Sequence, residues 1–487
     1  MKLTAANLHD LPAGIPVPIY DRSALRPGIV HIGVGNFHRA HQSWYLDQLF
    51  RQGRNTDWAI IGAGVRPTDA AMRDRLVAQD WMTTLIETGP EAIRAQVIGA
   101  MIDFLPVARD NAPLIAAMAD PAIRIVMLTV TEGGYYIDPA TQGFDAAHPD
   151  ILHDAAHPAT PRTAFGAIVA ALARRRAAGL VPFTAQSCDN LPGNGDVLRA
   201  TVVSLARLTD PALADWIDGQ GAFPNSMVDG IVPATGPAEI ALCQSLGIDD
   251  AAPVTHEPWR QWVIEDRFCA GRPDWDAVGA TFSDHVHDFE RMKIRILNGG
   301  HAALCYPAAL LGIDIVWQAM ADPRIAAFFR KLEETEIVPH VQPVPGFTPA
   351  AYLDLIESRF ANTAIADTTR RLAFDGSNRQ PKFILPTVRD GLASGAAVEG
   401  LALVSAAWCR YCCGTRDDGS PIEANDPIWP DLNRTALAAR ENPALWLGMS
   451  QIYGDLGQEP RFARAFARWL QMLHRQGTQA ALAAYSG

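Results

Sequence analysis

Nowhere does the chain hold an apolar run of about 18 residues, the length that crosses a bilayer. Its opening, MKLTAANLHD, lacks the basic-then-apolar pattern of a secretory signal. The expectation is a soluble, cytoplasmic protein with no membrane partner. Positive charge is in short supply: 41 Lys and Arg stand against 53 Asp and Glu, for a formal charge of −12. Phosphate backbones need a basic face, so nucleic acid is excluded as the main partner and a small molecule becomes the default ligand. Cysteine is sparse and shows no paired spacing. The seven residues, Cys188, Cys243, Cys269, Cys305, Cys409, Cys412 and Cys413, are odd in number and fit reduced thiols. Cys409 and Cys412 form a CxxC, yet no second CxxC or HxxxH completes a zinc set, so WCRYCC reads as a buried helix and no metal is expected. Internal repeats, low-complexity tracts and heptads are missing too, and the absence of heptads is compatible with a monomer.

What is present is a 48% hydrophobic chain of 487 residues, too long for one core and read as two large units. The first, residues 1–285, alternates strand and helix patterns. In GIVHIGVGNFHR (28–39) a short β-branched run meets a Gly-x-Gly turn, and a helical pattern follows over 40–50. Strand, glycine turn and helix open a dinucleotide-binding unit: Gly33 allows the tight turn, Gly35 lets the backbone approach a pyrophosphate, and the helix N-terminus offers unpaired N–H groups. The third glycine of the fingerprint is replaced by His38. A second strand is predicted at 58–62, and Asp69 is the nearest acid after it, placed to accept hydrogen bonds from an adenosine ribose. That favours NAD over NADP, although Arg66 and Arg73 stand near enough to host a 2′-phosphate, and Asp69 reads equally as a helix N-cap. IRIVMLTVT (123–131) suits a strand covered on both faces, and its end brings Thr129 and Thr131 to the ligand edge of the sheet. Strands at 181–186 and 223–229 lead into loops bearing Asn190 and Asp229, and helices are predicted at 163–178 and 198–208.

From residue 286 onward the pattern is helical, at 288–311, 323–337, 350–360, 363–374, 382–393, 397–413, 432–440, 443–455 and 459–485. The fold expected is α/β, a Rossmann-type domain over 1–285 followed by a mostly α-helical domain over 286–487. DFERMKIRILNGGHAALCYP (288–307) carries the chemistry of the second part. At 100° per residue, Lys293, Asn298 and His301 share one helical face. They offer an amine whose pKa burial can lower, an amide that can donate to an oxygen, and an imidazole that can hold a hydroxyl. Together they can move a proton off an alcohol. Gly299 and Gly300 weaken the same helix by about 1 kcal/mol each, so something needs the bare backbone there, and a close-lying substrate is one reason.

Seven stretches together resemble the polyol-specific long-chain dehydrogenase/reductase family, of the mannitol 2-dehydrogenase kind. They are IVHIGVGNFHRAHQSWYLD, LTVTEGGY, SCDNLPGNG, FPNSMVDGIVP, EPWRQWVIEDRFCAGRPDW, MKIRILNGGHAALCY and DGSNRQPKFILPTVRD, in family order from about residue 18 to about 430. The resemblance implies metal-independent NAD chemistry interconverting D-mannitol and D-fructose, with D-arabinitol or D-sorbitol as further substrates. It implies Lys293 as general base, Asn190 and Asn298 as donors to the reacting oxygen, His301 as a hydroxyl holder and Glu290 as proton gate or relay. It places Asp229, Arg371 and Arg379 at the substrate, and Gly33, Gly35, Asn36, Phe37, Asp69, Thr129 and Thr131 at the cofactor. Two departures stand out. Gly230 follows Asp229 where the family has arginine, and Arg379 replaces a lysine. A hexuronate reductase is the nearest alternative, with Arg371, Arg379 and Lys382 as cations for a carboxylate. A dinucleotide sensor without turnover is the alternative from another class.

Overall fold

Runs such as Ile29–Ile32 and Ile125–Leu128 have no polar face to turn to water, so they form strands covered on both sides. In the computed structural model, which describes residues 1–138, 141 and 143–487, they lie at the centre of the first of two compact units, Met1–His287 and Asp288–Gly487. Eleven strands are found among the described residues: β1 (Pro27–Ile32), β2 (Ala59–Ala63), β3 (Thr83–Thr88), β4 (Ile93–Ile98), β5 (Met101–Phe104), β6 (Ile125–Leu128), β7 (Thr184–Ser187), β8 (Ser226–Asp229), β9 (Val254–His256), β10 (Gln261–Ile264) and β11 (Thr281–Phe282). Five of them make a parallel sheet in the order β5-β2-β1-β6-β7. Alternate residues feed two cores. Val30, Ile32, Val126 and Leu128 pack with Phe165, Ile168 and Leu198 from helices on one face, while Ile29, Ile125 and Met127 pack with Leu46, Leu49 and Trp262 on the other. Each fully buried aliphatic side chain contributes about 1.5–3 kcal/mol. This is the expected Rossmann-type architecture.

Two three-stranded sheets add to it, β4-β3-β9 and β11-β10-β8, each mixing antiparallel and parallel pairs. The strand expected at 223–229 forms as β8 but belongs to the second of these. β10 holds it in antiparallel register, Asp229 opposite Gln261.

The second unit is helical. A helix over Val286–Met292 passes through a π turn, Lys293–Asn298, into Gly299–Leu310. Two further π turns follow, Glu333–Ile337 after the helix Pro323–Leu332 and Gln380–Ile384 before Leu385–Ser394. Cys409 and Cys412 sit in the buried helix Glu399–Cys412, whose first amides are capped from outside. Glu336 accepts from the N–H groups of Gly400 and Leu401 at 2.7 and 3.0 Å. Three expected helices are shorter or broken. Over 363–374 only Thr369–Ala373 is helical, because Asn362 Oδ1 takes the Ala364 amide and Thr368 caps the later turn. The segment 443–455 splits into Ala444–Leu447 and Ser450–Tyr453, and Pro460–Ser486 breaks at Gly477, where φ is +83°. Periodicity shows where apolar residues recur. Local side-chain competition for the backbone decides where a helix stops.

Candidate active site

In the first unit, β1 ends in a turn that only glycine can make. Gly33 has φ +94°, and a Cβ there would stand 2.1 Å from the Thr129 carbonyl oxygen. The Thr129 hydroxyl donates to the Gly33 carbonyl at 2.6 Å, so its 2.9 Å contact with His31 requires His31 Nε2 to be the donor. Gly35 is exposed and faces open space, which leaves its backbone approachable. At the third fingerprint position His38 fills the place of a small residue by stacking on His31, with ring centroids 3.4 Å apart. Burial pushes His31 down to about 3 and His38 well below the usual range, so both rings are neutral. Asn36 is occupied within the protein: its amide donates to the Pro233 carbonyl and the Thr235 hydroxyl, and its oxygen accepts from Arg39. Phe37 stacks on His41 at 4.8 Å. These two side chains brace the turn, and the backbone of the turn faces outward.

Asp69 opens the helix Asp69–Val77, yet it does not cap that helix's own amides. Its Oδ2 accepts from the amides of Val65 and Arg66 at 3.0 Å each, and Oδ1 lies 3.4 Å from the Arg66 guanidinium. The loop after β2 is thereby curled around the carboxylate, and Gly64 must be bare because a Cβ would meet Asp69 Cβ at 2.3 Å. A cavity of about 740 Å³ opens here, lined by Gly33, Arg66, Asp69, Arg109, Thr129 and Tyr136 among others. It lies at the carboxyl edge of the parallel sheet, where doubly wound folds take nucleotides.

The neighbouring loop is fixed by a residue that the sequence reading passed over. Asp189 accepts from the amides of Val130 and Thr131 and from the Tyr135 hydroxyl, at 3.1, 2.8 and 2.8 Å. It holds Thr131 at φ +70°, an unfavourable backbone for a β-branched residue. Its signal was an acid at a strand end immediately before a loop of Asn, Pro and Gly. Asn190, next in the chain, is exposed on a loop that Asn194 ties down, its amide donating to the carbonyls of Asp189 and Ser226 at 3.0 and 2.8 Å. Asp229 is buried at the end of β8 and accepts from the Trp259 indole at 2.9 Å. Gly230 is not sterically required, since a Cβ there would meet only the Trp259 carbonyl, at 3.4 Å.

In the second unit Lys293 and Glu290 are both buried, and Lys293 begins the π turn. The i→i+5 bonding there underwinds the helix, so the 100° arithmetic for Lys293, Asn298 and His301 does not apply through this segment. Arg295 anchors the turn to the helix Leu385–Ser394 through Thr387 Oγ1 at 2.6 Å and Asp390 at 2.9 Å. Asn298 Oδ1 and His301 Nε2 are buried without a hydrogen-bond partner among the described residues. Burial holds the His301 ring neutral, at a pKa of about 3, and it lies flat on Phe360 with centroids 4.2 Å apart. The bare backbone at Gly299 and Gly300 has a different cause from the substrate expected above. A Cβ on Gly299 would meet the Phe383 carbonyl at 3.2 Å, and one on Gly300 would meet Glu333 Oε1 and the Phe329 ring at 2.9 Å. Arg371 is engaged by both oxygens of Asp367, with Nε–Oδ1 at 2.6 Å, and Arg379 donates to the Leu372 carbonyl at 2.7 Å.

Residues 27–277 match the Mannitol dehydrogenase Rossmann domain, and residues 285–474 the Mannitol dehydrogenase C-terminal domain. The chain belongs to the mannitol dehydrogenase family. It is an oxidoreductase acting on CH–OH groups, a polyol dehydrogenase. It is 62% identical to mannitol 2-dehydrogenase of Cereibacter sphaeroides, over 96% of this chain and 97% of that one. It is 39% identical to mannitol 2-dehydrogenase of Pyricularia oryzae, over 99% and 98%. Two solved structures superpose with a TM-score of 0.90. One is the Pseudomonas fluorescens mannitol 2-dehydrogenase ternary complex with NAD and D-mannitol, 42% identical and covering 100% of this chain and 99% of its own. The other is a D-sorbitol dehydrogenase in substrate-free form, 33% identical over 99% and 100%.

Proposed function

We propose that the chain oxidises D-mannitol to D-fructose with NAD, and runs the reverse reduction, with Lys293 as general base. The observation that carries this reading is the π turn from Lys293 to Asn298. Among family residues matched one by one, it presents a buried amine and, at Asn298 and His301, two buried polar atoms without a partner among the described residues. Buried polar atoms are left unpaired at a cost of about 1–3 kcal/mol each, which a substrate hydroxyl would offset on binding. The cavity at Asp69, lined also by Gly33 and Thr129, and the open backbone at Gly35 fit a dinucleotide, with Asp69 taking the ribose. Asn36, Phe37 and Thr131 do not line that cavity, and Asn36 and Phe37 would act only by bracing the glycine turn. NAD held there supplies the hydride acceptor.

Lys293, buried at the start of the π turn, takes the proton of the reacting hydroxyl, which requires its amine to be neutral at working pH. Asn298, and Asn190 with it, donates to the oxygen as charge moves onto it. The neutral imidazole of His301 holds a neighbouring hydroxyl, and Glu290 relays the proton. Asp229 accepts from a polyol hydroxyl, and Arg371 and Arg379 bind further along the chain of hydroxyls. Arg371 favours a neutral polyol over a hexuronate, because Asp367 already neutralises it. The test is NADH formation by the purified protein with D-mannitol, D-arabinitol, D-sorbitol and D-mannonate offered separately. Polyol turnover is expected; turnover of mannonate alone would move the chain to the hexuronate reductases, and NADH binding without any turnover would make it a sensor.

A further inference from the structure

Glu333 has no part in the scheme above, and its surroundings are unusual for an acid. The side chain is fully buried, and neither carboxyl oxygen has a hydrogen-bond partner among the described residues. It opens the π turn Glu333–Ile337 at the end of the helix Pro323–Leu332. Its Oε1 lies 2.9 Å from the point where a Cβ on Gly300 would stand, so the carboxyl rests directly on the helix backbone between Asn298 and His301. The Phe329 ring lies beside it over the same glycine and also touches Phe360, on which His301 stacks. An isolated buried carboxylate would be prohibitively expensive, so the group carries its proton. Desolvation, and after it the charge of Glu357, raises its pKa well above the usual range.

We propose that Glu333 is a positioning residue for the alcohol chemistry: its carboxyl, seated on the bare backbone of Gly300 in the first turn of the helix Gly299–Leu310, fixes the backbone that carries Asn298 and His301. Glu333 and Phe329 together account for one of the two glycines by shape. Any side chain at 300 would displace either the carboxyl or Phe329, and with them the stack under His301. The inference rests on the polyol dehydrogenase reading, because positioning has meaning only if Asn298 and His301 act on a substrate.

The test compares polyol oxidation by the full-length protein with that of Glu333→Gln, Glu333→Ala, Gly300→Ala and the double Glu333→Ala/Gly300→Ala variant. NADH binding and melting temperature are followed in parallel. Gln, the same shape without charge, is expected to keep kcat within about twofold, whereas Ala is expected to lower kcat by about tenfold or more with NADH affinity unchanged. Gly300→Ala should lower kcat alone and add less to Glu333→Ala than it does to wild type, because one of the two groups it displaces is already gone and only the Phe329 ring remains. Infrared spectra at neutral pH should show a protonated-carboxyl band that disappears in Glu333→Gln. Wild-type kcat in Glu333→Ala, equal loss in Gln and Ala, additive effects in the double variant, or no such band would each overturn the inference. A wild-type protein silent on every polyol overturns the proposed function instead. The infrared band and the coupling of melting temperatures between positions 333 and 300 then decide the Glu333 contact on their own.

Discussion

Asp189 shows how one carboxylate can set the shape of a loop at the edge of the sheet. Three donors converge on its carboxylate, two of them from a strained loop. Asp189→Ala removes the acceptor of all three, although Tyr135 keeps Ser187 Oγ at 2.6 Å, and the loss should be about 2 kcal/mol or more. Urea unfolding measures it, and Asp189→Asn, which keeps an acceptor, should recover part. An unchanged midpoint for Ala would remove Asp189 from its structural role. Asp69 is a different case, since two backbone amides occupy one of its oxygens. Asp69→Ala should both loosen the loop and weaken discrimination against NADP. A ratio of NAD to NADP activity equal to wild type would leave Asp69 with only the loop to hold.

Among the elements, the strands β1, β2 and β6 at the middle of the central sheet could be read from the sequence because they are largely apolar runs, and the glycine turn because Gly33 has no substitute; the edge strand β5, with Asp103 in it, could not. Neither of the small mixed sheets could be. β3, β9 and β10 are three to six residues long, with charged or polar residues such as Glu87 and Gln261 among the apolar ones. The residue types of the candidate site were legible; their geometry was not. A π turn leaves no mark on apolar periodicity, so the α-helical spacing of Lys293, Asn298 and His301 was assumed and then corrected. The cause of the glycine pair is not legible in the sequence, because the acid that packs on Gly300 lies 33 residues further along the chain. Glu336, three residues beyond it, caps the helix Glu399–Cys412 with both oxygens. Glu336→Ala should destabilise the protein by about 2 kcal/mol, read as a lowered denaturation midpoint; a midpoint equal to wild type would contradict the cap.

For the whole molecule, buried histidines set the response to acid. Burial holds His31, His41, His256 and His301 at about 3 and His38 well below its usual range, against an ordinary 6.5. Between those values the unfolded chain binds the protons that the folded one refuses, so stability is full above about pH 6.5 and falls as pH drops toward 3. Each histidine contributes at most about 1.4 kcal/mol per pH unit. The expected result is a steep fall in urea midpoint between pH 7 and pH 5, partly relieved by His38→Gln; a flat profile would contradict neutral burial. Glu333 acts with the opposite sign, since folding keeps it protonated while the unfolded chain ionises above its ordinary 4.5. Its contribution therefore weakens stability as pH rises.

The central claim is that Lys293 removes the hydroxyl proton, and Lys293→Ala tests it most directly. The account predicts that D-mannitol oxidation at neutral pH falls by about a hundredfold or more while NADH still binds as it does to wild type. Turnover at the wild-type rate would show that another group takes the proton, and the assignment built on the π turn would fall with it.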